Sequence, residues 1–158
     1  MPTLLGAVET TVPPDDSQIF VVAGEPDEVP VLGGTDGRFV GCAPDVIVII
    51  SESQLLHEAA IRLESWDEEP PAPGGDWDDV QSGRLPVSEA SIAVQALWEA
   101  DLGERLPLRS TGWHRVRVHA GGRAALRQWD TNWDGDDDVP VGLERFVVQI
   151  WAENEAEN

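Results

Sequence analysis

The chain has no lysine and no tyrosine, and only one cysteine, one methionine and three histidines among 158 residues. Each shortage excludes something. A lone cysteine, Cys42, cannot form an internal disulfide or a cysteine-based zinc site within one chain, and a small buried hydrophobe is the reading it is left with. No run of residues is long and apolar enough to cross a bilayer as a helix. The apolar start, Met1 to Gly6, has no basic residue ahead of it, so it does not read as a secretory signal, and the cytoplasm is the expected compartment. Also missing are H-E-x-x-H, G-x-S-x-G and a phosphate-cradling glycine loop. Nothing in the sequence therefore gives a reason to expect an active site.

Positive charge is scarce. Ten basic residues, all arginine, face thirty acidic ones, for a net charge of −20. The arginine-only, alanine- and glycine-rich usage is the codon signature of a GC-rich bacterial genome. A surface this negative repels nucleic acid and anionic lipid, so neither DNA binding nor membrane insertion is expected. It would instead steer a basic protein, or serve solubility alone.

What is present is β patterning. Gly112 to Ala120 and Glu144 to Trp151 both alternate with a period of two. If they pair, Val116, Val118, Ala120, Phe146, Val148 and Ile150 form one apolar face. The opposite face sets Arg115 and Arg117 against Gln149 and Trp151, a mixture that cation–π contact favours. Further strands are expected at Gln18–Val22, Arg38–Cys42, Asp45–Ser51, Ala59–Trp66, Arg84–Val87 and Ser91–Leu97. The run Val46–Ile50 is β-branched on both faces, so it should be covered on both sides. Residues 1–16 read as a loose entry segment, and Glu99 to Glu104 as polar connection. The prolines of 67–75 deny both helix and ladder. Gly122 to Trp129 is the best helical stretch, of one or two turns. About seven or eight short strands with frequent turn signals argue for one all-β domain, an antiparallel, jelly-roll-like β-sandwich with long acidic loops. An acidic tail, 153–158, is expected to fray.

Asp130-x-Asn132-x-Asp134-Gly135 matches the opening of a calcium loop, with oxygen ligands at alternate positions and a glycine for the bend. The pattern then requires a glutamate at its twelfth position, which here is Val141. A solvated acidic loop is the plainer reading; Asp130, Asn132 and Asp134 as calcium ligands of a stabilised accessory domain is the alternative. No other cofactor is implied. His114 and His119 fall on opposite faces of one strand and cannot share a metal there. With His57, they read as structural or surface residues.

Binding is the remaining class. Seven tryptophans are many for this length. Trp66 and Trp77 border acidic, proline-rich connections, while Trp129 and Trp133 flank the loop running from Asp130 to Asp138. Each indole either plugs an end of the sandwich or anchors a partner beside the acids that speed encounter. The expected contact groups are Asp67, Glu68 and Glu69; Asp76, Trp77, Asp78 and Asp79; and Trp133 with Asp136, Asp137 and Asp138.

The order of features over residues 76–151 resembles the competence protein J-like family. The likeness rests on Asp76-Trp77-Asp78-Asp79, Ser91-Ile92-Ala93-Val94, Leu106-Pro107, Gly112-Trp113-His114-Arg115-Val116 and Glu144 through Trp151. It implies a β-sandwich and an acidic protein that sequesters a nuclease or a cognate toxin, and it transfers no catalytic residue. The linker at 67–76 and the Asp130–Asp138 loop depart from the family pattern and leave the partner open. The oligomeric state is open too.

Overall fold

The structure, a computed structural model, describes the chain apart from residues 31, 33–36, 96–100, 136–138 and 154–158, and the side chains of 101 and 102. Asp136, Asp137, Asp138 and the tail beyond Glu153 thus lie outside the described residues. Ten strands and one helix are described: β1 (Leu4–Val12), β2 (Gln18–Val22), β3 (Val40–Ala43), β4 (Val46–Ile50), β5 (Glu58–Trp66), β6 (Asp79–Val87), β7 (Ser91–Gln95), β8 (Asp101–Pro107), β9 (Gly112–Gly121), α1 (Arg123–Thr131) and β10 (Val141–Ala152). They build two five-stranded sheets, ordered β1-β5-β10-β9-β6 and β3-β4-β2-β7-β8. The expected all-β sandwich with one short helix is what forms.

The pairing of β9 with β10 sets the first sheet. Ala120 stands opposite Phe146, Val118 opposite Val148 and Val116 opposite Ile150, so the period-two pattern turns all six toward the second sheet. Ile19, Val21, Ile47, Ile49, Ile92 and Val94 meet them from across the sandwich. The double-sided apolar strand at 46–50 behaves as its composition demands. While Ile47 and Ile49 face the main core, Val46 and Val48 join Phe20 and Val22 in a second cluster on the outer face, packed against Leu32 and Ala43.

Four features differ from the sequence expectation. Strand β5 runs parallel to β10, although every other pair described is antiparallel. The entry segment contains β1, which pairs antiparallel with β5 along a sheet edge. The polar connection contains β8, the edge of the second sheet beside β7. An edge strand is held by backbone bonds on one side only and half faces water, so its side chains need not alternate. The helix is also longer than two turns, at nine residues.

Gly122 makes the turn from β9 into α1. Its φ is +72°, and a Cβ there would overlap the carbonyl oxygen of Leu143. Only glycine fits. At the open side of the sandwich, Gln81 of β6 reaches across to the other sheet: its Oε1 accepts from the backbone N–H of Phe39 and of Val40 at 2.8 and 3.1 Å, and its Nε2 donates to Gly37 O at 2.9 Å.

Segment 67–78 has no regular structure, as its prolines require. It crosses the outer face of the first sheet as a strap. Arg117 donates to Pro70 O and to the Glu69 carboxylate, Gln149 donates to Pro71 O, and Arg145 donates to Asp76 O. Pro70, within the strap, is buried.

Candidate functional site

The strap carries two of the expected acidic groups, one at each end of the first sheet. Asp67, Glu68 and Glu69 follow the end of β5, where Trp66 pairs with Trp151 near the end of β10. Each is already engaged: Asp67 accepts from Thr3 N, Glu68 pairs with the N-terminal ammonium at 3.4 Å, and Glu69 pairs with Arg117 at 2.8 Å. Asp76 to Asp79 lie at the opposite end, where β6 begins against Ala120. There, Asp78 Oδ2 accepts from the first helical N–H, that of Arg123, at 2.7 Å. A carboxylate at that position satisfies an orphan donor and meets the positive end of the helix dipole. Trp77 is half-buried: its indole N–H donates to Pro73 O, Arg145 stacks 4.9 Å from its ring and His119 meets its edge. It pins the strap to the outer face of the sheet rather than to the core between the sheets.

The same end carries α1 and the residues just beyond it. Asp130 ends the helical run with Thr131, Asn132 is its C-cap, and the N–H of Trp133 bonds to Asp130 O. Among the described residues, no three His, Cys, Asp or Glu side chains stand together as a metal site. Beside this terminus, Glu58 N donates to Pro140 O, and Val141 stands opposite Glu58 in the β5–β10 register. Asp130 is close enough for its charge to act on His57. Residues 56–58, 130–134 and 139–141 therefore form one surface. It exposes four large apolar side chains: Leu56 at 65%, Val141 at 59%, Trp133 at 47% and Val139 at 40%. Glu58 and Asp130 border them and enter no ion pair among the described residues. Apolar anchors rimmed by uncompensated charge of one sign are the make-up of a docking surface.

Beneath this end lies a buried polar network that spacing in the sequence did not announce. Ser51 Oγ donates to Glu144 Oε1 at 2.7 Å and stands 2.9 Å from His57 Nε2. Glu52 N and Arg123 Nη1 donate to the other oxygen of Glu144, at 3.0 and 3.2 Å. Arg123 also donates to Ile50 O and to Glu52, and its guanidinium stacks 4.6 Å from the Phe39 ring. Burial pushes the Glu144 carboxyl up despite these donors. Burial likewise holds the His57 imidazole below its usual range, against the pull of Asp130. With its proton given to Glu144, Ser51 accepts from Nε2–H of His57, which leaves Nδ1 buried and bare. The carboxylate thus holds the serine, not the imidazole. That order differs from the nucleophile–base–acid relay, and the hydroxyl is committed to the network.

A second buried row lies under the strap. Glu64 accepts from Arg62, Trp66 and Gln149, and Gln149 Oε1 meets His119 Nε2 at 3.2 Å. Burial pushes Glu64 up, but the three donors outweigh it and the carboxyl sits below its ordinary value. His114 faces the core and His119 the strap, so the two histidines of β9 are separated by the sheet, as alternation requires.

No described helix is long and apolar enough to cross a membrane. No protein-family model matches the sequence, and no curated protein sequence does. Two solved structures share its architecture. One is ComJ, inhibitor of the DNA degrading activity of NucA, from Bacillus subtilis: TM-score 0.59, 13% identity, covering 97% of this chain and 99% of that one. The other, described as crocagin biosynthetic gene J, has a TM-score of 0.60 at 11% identity, covering 94% of this chain and 98% of that one. The resemblance read from residues 76–151 therefore holds as a likeness of fold over nearly the whole chain, which has the two-sheet architecture of ComJ.

Proposed function

We propose that this chain is a non-catalytic acidic binding protein of the cytoplasm that sequesters a basic protein, as a nuclease inhibitor or toxin immunity protein does. The observation that carries the reading is the α1 end of the sandwich, where Leu56, Trp133, Val139 and Val141 are exposed beside Glu58 and Asp130. Apolar side chains supply affinity once water is displaced, and the net charge of −20 draws a cationic partner in. The fold shared with ComJ, whose activity is inhibition of a DNA-degrading enzyme, supports the same reading. The acids would stand where the phosphates of DNA otherwise lie on the nuclease.

The test is direct. The protein is titrated into a basic, DNA-degrading nuclease while DNA cleavage is followed, with any nuclease encoded near its gene tried first. Inhibition should saturate at a fixed stoichiometry and weaken as salt rises. Unaffected cleavage at an excess of folded protein, together with no complex by size exclusion, would sink the reading.

A further inference from the structure

Five of the ten arginines, Arg62, Arg84, Arg115, Arg117 and Arg145, lie on the strands of the first sheet. Three of these form one group. Arg84 of β6 is the direct cross-strand partner of Arg115 on β9, and Arg117 follows two residues on, toward the same face. Like charges directly opposite in a sheet are destabilising unless an anion lies between them. Here the anion is Glu153. Its carboxylate accepts from Arg84 at 2.8 and 3.3 Å and pairs with Arg115 at 3.2 Å. Its side chain is enclosed, although both arginines are open to water. These donors hold the Glu153 carboxyl below its ordinary value.

Around this pair lies a cleft of about 410 Å³ lined by Glu69, Ser82, Arg84, Arg115, Arg117 and Trp151. Two of the guanidiniums are fixed from behind by indoles: Arg84 lies 4.4 Å from the Trp113 ring and Arg117 lies 5.2 Å from that of Trp151. Planar forks braced on aromatic faces are set for carboxylate recognition at little further cost in side-chain freedom. One wall of the cleft is β6, the last strand of its sheet, whose backbone is capped at Pro86 O by the N–H of Asp45.

We propose that this cleft is a recognition site for an acidic peptide segment, and that Glu153, held on Arg84 and Arg115 of its wall, is a built-in stand-in for the ligand carboxylate. The site lies on a different face from the α1 end and does not depend on the function proposed above. Polyanions are disfavoured there by the net charge of the whole molecule, whereas a single carboxylate on a short uncharged backbone meets the guanidiniums of Arg84, Arg115 and Arg117. Binding is an exchange: the ligand carboxylate takes the donors of Arg84 and Arg115, and Glu153 goes to water.

Isothermal titration of the full chain with the N-acetylated, C-amidated hexapeptide Glu-Asn-Gln-Ala-Gln-Asn, which follows residues 153–158 but keeps a single carboxylate, tests the exchange. Glu153→Gln removes the competitor and should bind this peptide at least about tenfold more tightly than the unaltered chain. Glu153→Gln combined with Arg115→Gln should lose that gain, and the same peptide with Gln in place of its Glu should not bind. Should Glu153→Gln fold poorly, the unaltered protein still answers: the Arg84 Nε–Hε resonance should move on adding the acidic peptide and stay put with its Gln counterpart. A folded Glu153→Gln that gains no affinity, an unmoved Arg84 resonance at saturating peptide, or equal binding of inorganic phosphate would overturn the assignment.

Discussion

The Arg123 guanidinium donates to the Glu144 carboxylate at 3.2 Å in a site where Glu144 has no exposed surface. The pair joins the start of α1 to β10 and, through Ile50 O and Glu52, to the end of β4. Removing the cation strands a buried carboxylate. Arg123→Gln should therefore destabilise the fold by about 3–5 kcal/mol. Glu144→Gln should cost less, about 1–2 kcal/mol, because burial already favours the uncharged form and the amide oxygen can still accept from Ser51. Urea denaturation of the two variants checks the order, and the reverse order would refute it.

The three histidines give stability a pH dependence of definite sign. Burial is the leading cause that holds His57, His114 and His119 below the ordinary imidazole value of 6.5. Below that value the unfolded chain takes up protons that the native chain does not, so unfolding is favoured as pH falls. Stability should be fully present above about pH 6.5 and decline below it, at up to about 1.4 kcal/mol per pH unit per histidine. Glu144 works the other way: its contribution is present below the ordinary carboxyl value and is lost as pH rises through its raised native one. Urea midpoints measured from about pH 7.5 to about pH 5.5 should fall, and His119→Gln should flatten the slope.

Gly122→Ala should be among the most damaging single changes. The added methyl would meet Leu143 O in a backbone conformation that already disfavours side chains. Strain and overlap together predict a loss of at least about 3 kcal/mol. A melting temperature within a few degrees of the unaltered protein would contradict this turn geometry.

At the α1 end, Trp133→Ala and Val141→Ala should each weaken partner binding, with Trp133 the larger at about 2 kcal/mol or more, while circular dichroism stays native. Asp130→Asn should chiefly slow association and reduce its salt dependence. Asp67→Asn, at the other end of the molecule, should change neither. Surface plasmon resonance against the partner nuclease separates these outcomes.

Calcium provides a separate check on Asp130, Asn132 and Asp134. Because Asp130 belongs to the last helical turn and Asn132 caps it, we expect millimolar calcium to leave the melting midpoint where it is. A clear upward shift, lost in Asp134→Asn, would instead establish these residues as ligands.

The parts of the fold that alternation encodes were legible from the sequence. Val116, Val118 and Ala120 on one strand and Phe146, Val148 and Ile150 on another share a face because side chains along an unbulged stretch of strand point alternately to its two faces. Direction is not encoded in that period, so the parallel pairing of β5 with β10 could not be read. Nor could β1 and β8, whose edge positions relax the demand for an apolar side. The candidate site was half legible. Trp133 drew notice as an indole among acids, but the exposure of Leu56, Val139 and Val141 depends on how β5 and β10 meet beyond α1. Ser51, His57, Arg123 and Glu144 come from four separate stretches, and only the closed sandwich makes them neighbours.

The reach of Gln81 across the sandwich has a consequence for how these molecules behave in a crowd. Its amide uses the backbone N–H of Phe39 and Val40 and the carbonyl of Gly37, groups that would otherwise invite a strand from a second molecule. One side chain thus fastens the rim of one layer to the other and blunts a place where fibril-like stacking could begin. Gln81→Ala should leave each molecule folded yet more prone to self-association as concentration rises.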